Sequence, residues 1–195
     1  MATDYAPELM RPAPATRGIQ HVMHPGVLGP FIGAVGATAF VHVNRDLLPG
    51  SWPTYAVLGW AAALAFCAYA VLLRSRRLPD PGPPQPGAGL TYTISVLGML
   101  AAMATGMWVL NRLGRPELQP AVVVTAVGLH FLPFARAFNA TAFAWLGASL
   151  AVIGVVGLVL GITVGGPAAA GAAVLTGVVM LVLMGVDTYR SEPGR

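Results

Sequence analysis

The chain is organised as a series of long apolar runs separated by short polar or proline- and glycine-containing segments. Six of these runs reach about 20 residues, the length that an α-helix needs to cross the hydrocarbon core of a bilayer. We call them spans one to six, and they cover residues 26–44, 54–73, 90–111, 119–137, 141–162 and 168–187. The pattern predicts an all-α fold, a polytopic transmembrane bundle of six helices.

The end of span one resembles the end of span three at a constant offset of 67 residues. An Asn-Arg pair and the two prolines after it recur at this offset, so that Asn44, Arg45, Pro49 and Pro53 match Asn111, Arg112, Pro116 and Pro120. These matches indicate that spans one and two and spans three and four are parallel copies of one helical hairpin, an arrangement found in transporters. Spans five and six would form a third hairpin.

Two spans carry glycines at helical spacing, which places them on one face of each helix. The first glycine face consists of Gly26, Gly29, Gly33 and Gly36, and the second consists of Gly147, Gly154, Gly157 and Gly161. Small residues let two helices approach closely, and packing drives helix association in lipid. We therefore expect both faces to be helix contacts, and the two faces are candidates to dock against each other. Span six reads as apolar sequence without a distinguishing face.

Composition supports a membrane protein, because 56% of the residues are hydrophobic and only 9% are charged. A soluble domain carries about 25% charged residues. The net charge of +4 does not indicate nucleic-acid binding, since the arginines stand at the ends of the apolar runs and form no basic stripe with aromatic residues. We expect the lipid bilayer as a partner, with another membrane protein or a second copy as open alternatives.

The arginines also predict an orientation through the positive-inside rule. With the N-terminus inside, the cytoplasmic side carries Arg17, Arg74, Arg76, Arg77, Arg136, Arg190 and Arg195. The outer side then carries Arg45, Arg112 and Arg115. This bias predicts that both termini lie in the cytoplasm, and we expect a multi-pass protein of a bacterial cytoplasmic membrane. Residues 1–18 are predicted to form a disordered cytoplasmic tail, residues 19–189 the transmembrane domain and residues 190–195 a second tail.

The most unusual polar residue is His130, within Gly-Leu-His-Phe-Leu-Pro-Phe-Ala-Arg at residues 128–136 of span four. An ionisable side chain inside a membrane is costly and is therefore a functional candidate. Pro133 cannot donate to the Leu129 carbonyl, so a kink is expected and that carbonyl needs another donor. Arg136 lies near the membrane edge, where its side chain can reach the headgroups.

Span three offers a face of small and polar residues, formed by Thr91, Ser95, Gly98, Ala102 and Thr105. We expect this face to lie against protein or a cavity. The candidate ligand or proton pathway therefore consists of His130, Pro133, Arg136, Thr105 and Ser95. The alternative is a neutral His130 that is hydrogen-bonded to a backbone carbonyl or a threonine of a neighbouring helix and holds the bundle together.

The sequence lacks the residues that several kinds of chemistry require. No Asp or Glu lies in the interior of a span, since Asp187 stands at the end of span six, and this counts against cation-coupled transport. No serine–histidine–acid set, Walker loop or dinucleotide fingerprint appears. His21 and His24 lie three residues apart, but no Cys, Asp or Glu nearby completes a metal site, and Cys67 is the single cysteine. We predict no catalytic residue, no metal, no cofactor and no enzymatic activity.

Residues 127–136 resemble a segment, G-L-H-F-x-P-x-A, found in a group of small uncharacterised bacterial multi-pass membrane proteins. The residues that carry the resemblance are Gly128, Leu129, His130, Phe131, Pro133 and Ala135. The resemblance implies a similar fold and location and brings no activity with it.

The leading hypothesis is a non-enzymatic integral membrane protein that acts as a structural or interaction subunit. A small transporter or channel with a pathway past His130 is the alternative, and a membrane-embedded enzyme is the third. A continuous polar cavity between spans three and four would favour transport, whereas a dry, packed interior would favour the subunit.

Overall fold

The computed structural model describes residues 15–78, 86–137 and 141–190, most of which lie in long α-helices. These helices are α1 (Pro25–Asn44), α2 (Trp52–Ala68), α3 (Ala88–Arg112), α4 (Gln119–Ala137), α5 (Thr141–Thr163) and α6 (Gly166–Arg190). A π-helical turn, Tyr69–Leu73, extends α2. In this part of the chain, six helices are long and apolar enough to cross a membrane. The predicted all-α bundle of six helices is confirmed, and the chain is a multi-pass integral membrane protein.

Several helices extend beyond the apolar runs that predicted them. Helix α2 begins at Trp52, two residues before the predicted span, and α6 continues to Arg190, three residues after it. Hydropathy marks only the apolar part of a helix, whereas backbone hydrogen bonding continues into the polar residues at its ends. The helix boundaries therefore exceed the predicted spans while the number of helices stays the same.

Helix α6 lies at the centre of the bundle and contacts α1, α2, α4 and α5. Inside the protein, 56% of its most apolar segment is buried, compared with 6% for α3. Many of its buried residues are small, namely Ala169, Ala170, Ala172, Ala173, Gly177 and Gly185. Small side chains let neighbouring helices approach closely. Span six, which showed no distinguishing face in the sequence, is thus the helix around which the others pack.

Helix α3 lies at the periphery. It packs against α4 and the 3₁₀ turn Pro116–Leu118, whereas α1 and α2 both pack mainly on α6. The predicted repeat is visible locally, because α2 and α4 begin 67 residues apart and each has a proline as its second residue, Pro53 or Pro120. The packing of the two helix pairs differs, since α6 accepts both helices of the first pair. The similarity therefore extends to the starts of α2 and α4 and not to the packing of the hairpins.

A short antiparallel pairing ties the N-terminal segment to the end of α2. Strand β1 (Thr16–Arg17) pairs with β2 (Ser75–Arg76), and a 3₁₀ helix, Gly18–Gln20, follows β1. Residues 16–18, which the sequence analysis assigned to a disordered tail, are therefore part of the fold. Hydropathy cannot reveal this pairing because it depends on backbone groups. The rest of the two predicted tails, residues 1–14 and 191–195, lies outside the described residues.

The bundle has an arginine-rich end, where α1, α3 and α5 begin and α2, α4 and α6 end. At this end the Arg76 side chain reaches the Gly26 carbonyl at the start of α1, and the Arg74 guanidinium lies over the ring of Tyr189 near the end of α6. The opposite end carries Arg45 and the turn after α3. The arginines are therefore divided between the two ends as predicted, and which end faces the cytoplasm stays a prediction.

Candidate functional site

His130 on α4 is hydrogen-bonded to Ser95 on α3. The Ser95 Oγ lies 2.7 Å from His130 Nδ1 and 2.9 Å from the His130 carbonyl oxygen. A serine hydroxyl has one proton to donate. When that proton goes to the carbonyl, Nδ1–H donates to the serine oxygen, and Nε2 is left as the acceptor nitrogen of a neutral ring. One serine thus holds both the imidazole and the backbone of α4.

This hydrogen bond lies next to the position where Pro133 interrupts the helix ladder. Pro133 lies inside α4, which continues to Ala137, and it cannot donate to the Leu129 carbonyl. The sequence led us to expect an external donor for the Leu129 carbonyl. Ser95 supplies its donor one residue later, to the carbonyl of His130. The kink itself stays a prediction.

Aromatic side chains lie next to His130. The ring of Phe134 lies 5.0 Å from the imidazole in an edge-to-face arrangement, and Tyr92 lies 5.1 Å from Phe134. Phe131 and Phe143 stack in parallel with their centroids 5.9 Å apart. We call the set of Tyr92, His130, Phe131, Phe134 and Phe143 the aromatic cluster. It joins α3, α4 and α5 near the arginine-rich end, and edge-to-face and stacked pairs of this kind stabilise such contacts.

A cleft of about 650 Å³ lies beside the aromatic cluster. Its lining includes Thr91 from α3 and Pro133 and Arg136 from α4, together with small apolar residues. His130 and Ser95 do not line it. Among the described residues of the lining, Arg136 is the one that carries a charge.

The predicted pathway residues therefore occupy three separate places. His130 and Ser95 are bonded to each other, Pro133 and Arg136 line the cleft, and Thr105 is exposed on α3. Thr105 lies ten residues beyond Ser95, about 15 Å along the helix. Within this chain, only the first half of the small-polar face of span three is partly covered, because Gly98, Ala102 and Thr105 are exposed. Whether the exposed half of the face lies against protein or a cavity stays a prediction. The less exposed face of α3 runs instead through Ser95, Met99, Met103, Gly106 and Leu110.

The second glycine face is buried over its whole length. A Cβ atom on Gly147 would lie 2.7 Å from the carbonyl oxygen of Gly128 on α4. Further along α5, Gly154 faces Thr125 of α4 and Gly157 faces Ala172 of α6. Gly161 is close to Ala169 of α6 and to Leu118 of the 3₁₀ turn that precedes α4. This face thus packs α5 against both α4 and α6.

The first glycine face is less closely packed. Gly33 faces the side chain of Met184, and a Cβ on Gly36 would lie 3.9 Å from Met180, an ordinary contact. At Gly26 the nearest atom is a ring nitrogen of His24, and nothing lies within 4 Å at Gly29. The nearest neighbours of this face belong to α6 and to the segments near the start of α1, so the two glycine faces do not dock against each other.

Two residues near these sites have roles that the sequence analysis did not assign. Gly128 lies at the closest approach of α4 and α5, where the backbone of Ala151 leaves no room for a side chain. Gly128 follows Val124 and Ala121 by four and seven residues, and the structure buries both of these fully. This helical spacing, which places Gly128 on the same helix face, was the sequence signal for its role. His24 caps α1, because its Nδ1 accepts a hydrogen bond from the Gly26 N–H at 3.1 Å.

Within the described ranges, no group of three His, Cys, Asp or Glu side chains is placed to hold a metal ion. Comparison of the chain with known protein families, with curated proteins and with solved structures finds no match. The resemblance of residues 127–136 to the G-L-H-F-x-P-x-A segment stays a prediction.

Proposed function

We propose that this membrane protein is a non-enzymatic interaction subunit whose helix α3 binds a transmembrane helix of a partner. The observation that carries the proposal is the position of α3. This helix packs against α4, and its Ser95 is hydrogen-bonded to His130, but only 6% of its most apolar segment is buried inside the protein. Its exposed surface includes the small residues Gly98, Ala102 and Thr105. Lipid chains gain little from small side chains, whereas another helix can approach them closely.

The Ser95–His130 pair supports the same function. An imidazole on a transport pathway must exchange protons or ligands with successive groups, but this ring is bonded to a serine and lies beside the rings of Phe131 and Phe134. Such a pair holds α3 in a fixed position on α4. A rigidly held, largely exposed helix is suited to presenting a surface to a partner. The distribution of arginines supports a bacterial cytoplasmic membrane with both termini inside.

Photo-crosslinking from within the membrane tests the proposal. A photoreactive phenylalanine at position 98 of α3 should form a discrete protein adduct, whose mass identifies a second copy or a different protein. Position 152 on α5 is a matched control, because Val152 is 62% exposed and lies at a similar depth from the start of its helix. Adducts with lipid alone at both positions would refute the proposal.

A small transporter is the second candidate, and the cleft lined by Thr91, Pro133 and Arg136 is the observation that favours it. Proteoliposomes containing the wild type or His130→Ala should be compared for proton and solute flux, with circular dichroism as the control for folding. Flux that disappears in a folded variant would replace the subunit proposal by transport. The subunit proposal predicts no flux in either protein and a lower melting temperature for the variant.

A further inference from the structure

Two arginines at the arginine-rich end have guanidinium N–H groups that lack hydrogen-bond partners. Arg74 directly follows the π-turn that ends the second span, and Arg76 belongs to β2. Arg76 is only 5% exposed, and its Nη2 donates to the Gly26 carbonyl at 2.9 Å. Its Nε is buried without a partner among the described residues, and so is Nη1 of Arg74. A buried N–H without an acceptor is costly and rare.

The backbone places both arginines on the same side of an extended segment. Arg74 has extended dihedral angles, φ −70° and ψ 130°, and Arg76 lies in a strand. Side chains two residues apart in an extended chain point to the same face. Burial lowers the pKa of Arg76, Asp187 raises it, and the positive charge of Arg74 lowers it. Arginine nevertheless stays protonated in proteins, so two positive charges share this place.

Among the described residues, neither the Arg74 nor the Arg76 guanidinium group forms a salt bridge. In the described part of the chain, no carboxylate lies within 4.0 Å of Arg74 or Arg76. The guanidinium carbon of Arg74 lies 4.0 Å from the centroid of the Tyr189 ring. This cation–π contact uses the flat face of the guanidinium group and makes no hydrogen bond with its in-plane N–H groups. Tyr189 therefore fixes Arg74 without satisfying its hydrogen bonds.

We propose that Arg74 and Arg76 form a binding site for a phosphate group, carried by an anionic lipid headgroup or by a soluble phosphate. Guanidinium groups bind phosphate oxygens through pairs of parallel hydrogen bonds, and charge-assisted bonds of this kind are the strong ones. The position fits, because Arg74 is the first residue after the apolar span Trp52–Leu73 and thus lies at the membrane boundary. The site is independent of the partner surface on α3.

The test uses the full chain purified in a neutral detergent. Native mass spectrometry measures the apparent Kd for phosphatidylglycerol, with phosphatidylcholine as the reference lipid. A melting-temperature shift with inorganic phosphate, compared with chloride at equal ionic strength, measures the soluble source. Arg74→Gln and Arg74→Lys test the site, and Arg190→Gln is the matched control, since Arg190 is exposed and its replacement removes one charge at the same end of the bundle.

Loss of a hydrogen-bonded charge contact should weaken binding of the phosphate-bearing probe about tenfold or more in both Arg74 variants. Arg190→Gln should bind like the wild type. Arg74→Lys retains the charge, so its loss of affinity separates a shaped site from general attraction. Binding of phosphatidylglycerol alone assigns a lipid headgroup, and an additional shift with inorganic phosphate assigns a soluble source. No binding by the wild type, unchanged affinity in Arg74→Lys, or equal loss in Arg190→Gln would overturn the proposal.

Discussion

Replacing Gly147 by alanine tests the packing of α4 against α5. A Cβ atom at this position would lie 2.7 Å from the carbonyl oxygen of Gly128 and 2.9 Å from Cβ of Phe131. Neither atom is the end of a flexible side chain, so the two helices must move apart to accept the methyl group. Gly59 on α2 is the matched control, because no heavy atom lies within 4 Å of a Cβ atom there.

The expected magnitude follows from two opposing effects. Alanine in place of glycine inside a helix favours folding by about 0.5–1 kcal/mol through backbone entropy. Forcing a methyl group into a packed contact costs about 1–3 kcal/mol. Gly59→Ala should therefore stabilise the protein, whereas Gly147→Ala should destabilise it. Because the propensity gain is common to both, the two variants should differ by about 1–3 kcal/mol.

Unfolding in mixed micelles by increasing fractions of dodecyl sulfate, followed by far-ultraviolet circular dichroism, measures this difference. Gly36→Ala adds an intermediate case, since its nearest neighbour, Met180, lies at an ordinary contact distance of 3.9 Å. It should resemble Gly59→Ala more than Gly147→Ala. Equal stabilities of Gly147→Ala and Gly59→Ala would refute close backbone contact between α4 and α5.

Three further predictions concern spans three and four and the topology. A double-mutant cycle of Ser95→Ala and His130→Ala should give a coupling energy of about 0.6 kcal/mol, the average for hydrogen bonds between membrane helices, and at most about 1.7 kcal/mol; additive effects would contradict the bond. Thr105→Ala should leave stability unchanged in the same assay, and a loss comparable to that of Ser95→Ala would contradict its exposed position. A reporter fused to the C-terminus should be active only in the cytoplasm, and activity on the other side would reverse the orientation.

The number and approximate positions of the helices could be predicted because they depend on local properties. A run of about 20 apolar residues must form a helix in a bilayer, where backbone groups have no other partners. The order of packing could not be predicted, because all six spans are apolar and lipid does not distinguish among them. Ala169, Ala173 and Gly177 recur every four residues in α6, and that spacing of small residues is the signal that would have placed it centrally.

The candidate site shows why a face predicted from spacing is only partly reliable. Two helix faces of α3 pass through Ser95 and then diverge, one through Gly98 and Thr105 and the other through Met99 and Gly106. Residue type favoured the first, since small and polar side chains gain little from contact with lipid. The structure buries more of the second, because apolar side chains such as Leu110 fill the interface with α4. The two faces are neighbours on the helix, and only the position of α4 decides between them.

The arginines show the same limit at the membrane boundary. In the sequence, Arg74, Arg76 and Arg77 form one topological signal, because each places positive charge beside the same apolar span. The fold gives the first two different environments: Arg74 stacks on Tyr189, and Arg76 is buried and bonded to Gly26. These environments depend on the pairing of β1 with β2 and on the end of α6, elements distant in sequence. An arginine whose charge sets the orientation of the protein in the membrane can therefore also belong to a binding site. Its burial in the structure distinguishes these two roles.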